Sequence, residues 1–263
     1  MPECEASSTP GGLRVDIEAG IGVVTIDRPG VRNALGLTTV DELDSALDHT
    51  LEAGATVLVL RGAGDRVFVS GGDLRELSAV RTYDDAVEMA TRVRRVLDRI
   101  AAFPVPVVAA LNGHALGGGA EVAIAADIRI AADDVKIGFN QVSLGIMPAW
   151  GGAERLAQAV GRSRALLAIA TGEVYDAPTA QRLGLIDVVV PRATFDEEWR
   201  SLVQRMAQAA PGTSRAVKSV IAAAAPSLHP ELEPGATDAF ARLWTAEAHW
   251  AAVEALRETR RLS

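Results

Sequence analysis

Cysteine is nearly missing from this chain: Cys4 is the only one among 263 residues. A disulfide framework and a cysteine-rich metal site are thereby excluded within one chain, and a reducing cytoplasmic setting is the default expectation. Lysine is almost as scarce, with Lys136 and Lys218 alone, and the formal net charge is −8. That balance argues against nucleic acid as a partner, since a general binding surface needs a continuous basic patch. An anionic small molecule needs only a few local donors, which arginines can supply. No membrane span is expected either. The stretch Phe103 to Ala120, free of Asp, Glu, Lys and Arg, holds Pro104, Pro106, Asn112 and four glycines, so it reads as buried interior. Residues 1–12 have neither the basic start nor the apolar middle of a signal peptide and read as a disordered tail. Repeats and low-complexity segments are missing. So are G-x-G-x-x-G and G-x-x-x-x-G-K-[ST], which leaves an NAD or ATP enzyme unsupported.

What remains is a soluble globular composition, 49% hydrophobic and 23% charged, long enough for one large domain. "LRVDIEAGIGVVTIDRP" alternates on both sides of Ala19-Gly20 and predicts an antiparallel hairpin. Thr39 and Glu42 have capping-box spacing ahead of a helical run that Gly54 stops. "ATVLVLRG" and "VPVVAALNG" are apolar without alternation, as expected of strands covered on both faces. A helix is expected from Tyr83 to Ala102, a short one after the glycines at 117–119, then strands at "DIRIAA" and "VKIGF". Two further helices fit "GGAERLAQAVG" and "RSRALLAIATG". From Phe195 the pattern is helical apart from "PSLHPELEPG". The sum is an α/β core with a helical extension.

Two stretches carry chemistry. "VFVSGGDLREL" reads as a strand end, a glycine turn and a helix start with Asp73 in the capping region. It is either an ordinary loop or a place where the Gly72 N–H meets a ligand oxygen. "PVVAALNGHALGGGAEVAIAAD" repeats the arrangement with Gly118. Close helix packing would explain its glycines, and so would a second amide donor; two such donors can converge on one oxygen as an oxyanion hole. Glu121 is a carboxylate in an otherwise apolar run and needs a reason to be there. Helix capping is one, general acid/base work the other. His114 has no evident nucleophile beside it and reads as structural or pocket-lining, Asp127 as a cap or loop anchor, and Trp150 as core or a pocket wall.

Taken together, "FVSGGDLREL", "ALNGHALGGGAEVAIAADIRIA" and "LGIMPAWGGAERLAQAVG", in this order and spacing, resemble the enoyl-CoA hydratase/isomerase (crotonase) family. The match extends from "GVVTIDRPGVRNALG" to "TGEVYDAPTAQRLGLIDVVV". The resemblance implies an α/β crotonase spiral of ββα turns over residues 13–195 and a helical trimerisation region over 196–263. It implies a homotrimer or dimer of trimers, acting most commonly in fatty acid metabolism. It also implies an acyl-CoA substrate, with coenzyme A as part of the substrate, no permanently bound cofactor and no metal. The thioester carbonyl would sit between the amides of Gly72 and Gly118, while Asn33, Ala34, Leu35, Asp73, Leu74 and Arg75 would line the CoA path, with Trp150 as a wall.

One position departs from the family pattern. Hydratases of this family usually place two glutamates around the reacting water; Glu121 matches the first, but Gln141 stands at the second. An amide can orient water or a carbonyl but cannot exchange a proton near neutral pH. Three readings follow: an enoyl-CoA hydratase-type lyase in which Glu121 handles protons and Gln141 orients water; an alkylmalonyl-CoA decarboxylase; and a non-catalytic acyl-CoA-binding homologue. The second draws on a local resemblance of "GIMPAWGG" and "LWTAEAHWAAVEA" to the ethylmalonyl-CoA decarboxylase branch.

Overall fold

In the computed structural model, which describes residues 7–8, 12–210, 212–224 and 232–262, the alternating segments at the start fold back as expected. Strand β2 (Leu13–Glu18) pairs antiparallel with β3 (Ile21–Ile26). Ala19 and Gly20 both adopt positive φ (49° and 78°), the conformation that a tight two-residue hairpin demands. Of the tail read as disordered, residues 1–6 and 9–11 lie outside the described residues. Ser7–Ser8 form β1, which pairs with Arg14 and Val15 of β2.

The rest of the core is built by repetition. Strand β4 (Val57–Gly62) is followed by β5 (Val67–Val69) and α2 (Tyr83–Ala101), with α1 (Leu37–Glu52) preceding them. The next coil comprises β6 (Val107–Leu111), β7 (His114–Leu116) and α3 (Gly118–Ala125). A third comprises β8 (Ile128–Ala132), β9 (Lys136–Gly138), α4 (Gly152–Val160) and α5 (Arg162–Thr171). Then β10 (Val174–Asp176), α6 (Ala177–Leu183) and β11 (Val188–Val190) close the series. Each coil gives one strand to a seven-stranded sheet, ordered β1-β2-β3-β4-β6-β8-β11, and one to a four-stranded sheet, ordered β10-β9-β7-β5. From β3 onward the large sheet is parallel, as are β5, β7 and β9 in the small one. This is the expected α/β spiral of ββα turns. All five residues of β6 are buried, which explains why its sequence is apolar without alternation.

Four expectations are corrected. Thr39 does not cap α1; it is buried inside the helix, which starts at Leu37. The Leu37 amide donates instead to Glu76 Oε1 at 2.8 Å, a tertiary cap that no local spacing reveals. No α-helix starts after Asp73: the chain makes turns and a single 3-10 turn at Leu77–Ala79, while Asp73 accepts from the Arg75 amide (3.1 Å) and pairs with Arg28 (3.1 Å). The Pro- and Gly-containing break is shorter than its composition suggests. Its residues 226–231 lie outside the described residues, but α9 (Leu232–Trp244) takes Pro234 and Gly235 into its first turn, where a missing N–H costs no bond. Finally β10, α6 and β11 were not anticipated as elements.

The C-terminal third is helical as expected: α7 (Phe195–Ala207), α8 (Thr213–Ala224), α9 and α10 (Glu247–Leu262). Helix α9 packs along α2, and α10 rests on the 3-10 turn Asn140–Leu144. Among the described residues no helix is long and apolar enough to cross a membrane.

Candidate active site

Gly72 and Gly118 are delivered to one place by equivalent routes. Val69, at the end of β5, pairs with Ala115 of β7. Beyond β5, Leu35 bridges the glycine loop: its N–H donates to Gly71 O and its C=O accepts from Asp73 N, both at 2.8 Å. Those two bonds occupy the residues flanking Gly72, so the Gly72 amide itself faces away from Leu35. Gly118 opens α3, where the first amides have no intrahelical acceptor. A methyl group built on Gly71 would lie 3.3 Å from Gly118 N, which places the two loops side by side.

Trp150 covers both. A methyl group on Gly118 would meet its ring at 2.1 Å, and one on Gly72 would reach the same ring at 3.6 Å. The tryptophan is therefore both core and wall: it is buried and lines a cleft of about 680 Å³. For Gly72 the only close neighbour is Leu77 Cδ1 at 2.7 Å, the free end of a flexible side chain. Gly72→Ala is accordingly expected to cost less than about 1 kcal/mol, which thermal unfolding would register as a shift of a few degrees or less.

Glu121 lies on α3, every residue of which is buried, and is itself 2% exposed. Oε2 accepts from Trp150 N (2.8 Å) and Gly152 N (3.0 Å), and Oε1 accepts from Gln141 Nε2 (2.9 Å). Burial pushes its pKa up from 4.5 to about 7, against the pull of the Trp150 and Gly152 amides, the Arg155 guanidinium and the Gln141 amide. Both readings of this residue thus hold at once. The carboxylate occupies the N-terminus of α4, where Gly151 has φ +83°, and it lines the cleft in a state that can gain or lose a proton near neutrality. Arg155 is anchored by Trp150 O (2.9 Å) and Asp98. Gln141 spends its amide nitrogen on Glu121, leaving Oε1 buried with no protein partner among the described residues.

The remaining residues expected on the CoA path divide. Ala34, Asp73, Leu74 and Arg75 line the cleft, together with Gly30, Val31 and Arg32. Asn33 and Leu35 do not. Asn33 is buried, in a left-handed conformation (φ 55°); its Oδ1 accepts from Arg28 N, and its Nδ2 donates to Ala63 O and Val67 O. Leu35 is core. Both act behind the wall, holding Ala34 and Gly72 in place, because a turn that presents one backbone face must bury the side chains beside it. His114 stays away from Glu121: its Nδ1 accepts from Lys136 N, and it lines a second cavity of about 570 Å³ with Arg66, Asp134 and Arg192. Asp127 anchors a loop, accepting from Val107 N and Lys218.

Sequence reasoning missed the apolar side of the cleft. Leu77, Met89, Met147 and, from the C-terminal helices, Phe240, Trp244 and Leu256 complete it, and the polar Arg257 lines the cleft with them. Helical periodicity marks the buried face of α9 and α10 but not what that face covers. No group of three His, Cys, Asp or Glu able to hold a metal ion occurs among the described residues. Among the described residues, the cleft offers two amide donors without a protein acceptor, one carboxylate titrating near pH 7, one amide oxygen without a protein partner and an apolar floor.

Known proteins resemble the chain throughout. The sequence profile of the enoyl-CoA hydratase/isomerase family matches residues 16–261. A probable enoyl-CoA hydratase of Bacillus subtilis is 36% identical over 203 residues, 76% of this chain and 78% of its own. A short-chain-enoyl-CoA hydratase of Clostridium acetobutylicum is 35% identical, covering 78% of each chain. Among solved structures, an enoyl-CoA hydratase from Bacillus anthracis superimposes with a TM-score of 0.78 at 30% identity, covering 94% of this chain and 96% of the other. One from Mycobacterium avium subsp. paratuberculosis gives 0.84 at 26% identity, covering 94% and 99%.

Proposed function

The chain belongs to the enoyl-CoA hydratase/isomerase family, and from that premise we propose that it adds water to a trans-2-enoyl-CoA with Glu121 as its one proton-exchanging group. It is an enzyme of the hydratase type. The observation that carries the reading is the buried Glu121 carboxylate, held by three donors and poised near pH 7, on the helix that begins with Gly118.

The thioester carbonyl oxygen accepts from the Gly72 and Gly118 amides. Attack of water at Cβ pushes electrons through the double bond onto that oxygen, and each preorganised donor is worth about 3 kcal/mol of barrier. Glu121, ionised, takes one proton from the water as its oxygen bonds to Cβ. The resulting acid returns that proton to Cα as the enolate collapses to 3-hydroxyacyl-CoA. Gln141 Oε1 accepts from the second hydrogen of the water, which uses the otherwise unpaired oxygen while Nε2 stays on Glu121. Ala34, Asp73, Leu74 and Arg75 hold the CoA arm at the mouth, with coenzyme A entering as part of the substrate and neither metal nor permanent cofactor required.

Trans-2-enoyl-CoAs of several chain lengths are expected to yield 3-hydroxyacyl-CoA, followed as loss of the conjugated thioester absorbance. A folded protein that hydrates none of them but releases CO2 from an alkylmalonyl-CoA is the decarboxylase instead. Residues 196–263 serve assembly as a cytoplasmic trimer or dimer of trimers, and light scattering is expected to return three or six times the chain's 27.5 kDa.

A further inference from the structure

Three side chains of the C-terminal helices bond main-chain carbonyls of the loops around the site, each on a different loop. Trp244 Nε1 donates to Val80 O at 3.0 Å, just past the Leu77–Ala79 turn. Arg257 Nη2 donates to Leu74 O at 3.2 Å, beside the Gly72 loop. His249 Nδ1 bonds Leu144 O at 2.7 Å, on the turn that bears Gln141. A carbonyl only accepts, so Nδ1 carries the hydrogen.

Of the three, His249 has no reason to be polar other than this bond. Its residue is fully buried, its ring lies 4.6 Å from Trp244 and 4.7 Å from Trp250, and Nε2 meets no protein partner among the described residues. Burial, and the nearby Arg81 stacked on Trp250, both favour the neutral imidazole. The turn it holds also packs against α5, and besides the Gln141–Glu121 bond the Leu144 carbonyl is its hydrogen-bonded tie to another element among the described residues. Its five residues end at Gly145 in a left-handed conformation (φ 67°), and a methyl group there would lie 3.5 Å from His249 N, so α10 sits directly on it.

We propose that His249 is a positioning residue for the reaction: its bond to Leu144 O fixes the Asn140–Leu144 turn so that Gln141 stays on Glu121 and presents its free oxygen to the reacting water. The reading of Gln141 given above underlies this. Glu121 is faced by Gln141 from the turn and by Arg155 from α4, which Asp98 of α2 holds in turn. The Gln141 amide favours the ionised Glu121, so a turn that drifts removes a donor and shifts the acid limb of the pH profile upward.

Asparagine and leucine at position 249 make the test, because they share a shape and differ in the amide. Asn places its nitrogen where imidazole has Nδ1 and can still bond Leu144 O; Leu cannot. His249→Asn is expected to keep kcat within about threefold of wild type. His249→Leu is expected to lose about 10- to 100-fold in kcat, with KM little changed and the acid limb of kcat/KM moved to higher pH. Equal kcat and equal profiles in the two variants overturn the proposal. If His249→Leu does not fold, His249→Asn decides alone, and a loss of about tenfold or more in the folded protein overturns it. Gln141→Leu separates the two levels: unchanged turnover there refutes the role of Gln141, whereas a loss there with matched His249 variants refutes the positioning role alone.

Discussion

Glu121→Gln is expected to lower kcat by about 10³-fold, within the range that positioned general acid/base groups contribute, while binding of an acyl-CoA product is retained. The substituted amide preserves the volume of the buried site and can still accept from Trp150 N and Gly152 N, but it cannot take a proton from water or return one to Cα. Isothermal titration with the product and single-turnover kinetics separate the two effects, and unimpaired turnover would sink the assignment. On the proposed mechanism the same group sets the pH dependence of the wild type: turnover then requires the carboxylate, and the acid limb of kcat/KM is expected near pH 7. Stability runs the other way. Because the folded-state pKa of this acid is raised, folding holds a proton that the unfolded chain gives up between about pH 4.5 and pH 7. Stability is therefore highest below that window, falls as pH rises through it, and stays lower above. The shift corresponds to about 3 kcal/mol, and Glu121→Gln is expected to lack this segment of the pH dependence of the thermal midpoint.

Gly118→Ala is the second large effect. The new methyl group would lie 2.1 Å from Cζ3 and 2.7 Å from Cη2 of Trp150, so the indole must leave its place. Trp150 has little freedom to do so, since its own amide donates to Glu121 and its carbonyl accepts from Arg155. One substitution thus disturbs the proposed second oxyanion donor and the proposed proton-transfer group together. A loss of about 10²- to 10³-fold in kcat is expected, comparable to deleting an oxyanion donor, against a near-neutral effect for Gly72→Ala, whose methyl group crowds the free end of Leu77 and only touches the Trp150 ring, at 3.6 Å. Comparable losses in both variants would show that crowding by Trp150 is not the cause.

Much of this was legible beforehand, for identifiable reasons. A carboxylate inside "GGGAEVAIAA" is costly to bury, and Glu121 is buried and lines the cleft beside Gly72 and Gly118. The hairpin about Ala19-Gly20 and the buried runs of β4 and β6 declared themselves through alternation and its lack. What stayed hidden depended on distant partners. Glu76 caps a helix 39 residues away, Asn33 works by bonds to Ala63 and Val67, and His249 reaches back to Leu144. Strands as short as β10 and β11, three residues each, carry too few positions for a period to show. Asp73 misled because an acidic residue after Gly-Gly suits a helix cap and a turn equally well, and only Arg28 and the Arg75 amide decide between them.

The offset of the two glycines from their strands bears on how such a site can arise. Gly72 and Gly118 each lie three residues beyond the paired positions Val69 and Ala115 on adjacent parallel strands. Neighbouring strands run about 4.8 Å apart, and an amide holds an oxygen at about 2.9 Å. One acceptor equidistant from two amides at that separation is approached at roughly 110°, close to the spread of lone pairs on a carbonyl oxygen. At that spacing the pitch of the spiral suits the proposed two-pronged grip: a glycine three residues past each of two paired positions on successive coils brings two amides toward one oxygen, and the helix that follows the second glycine brings Glu121 up beside it.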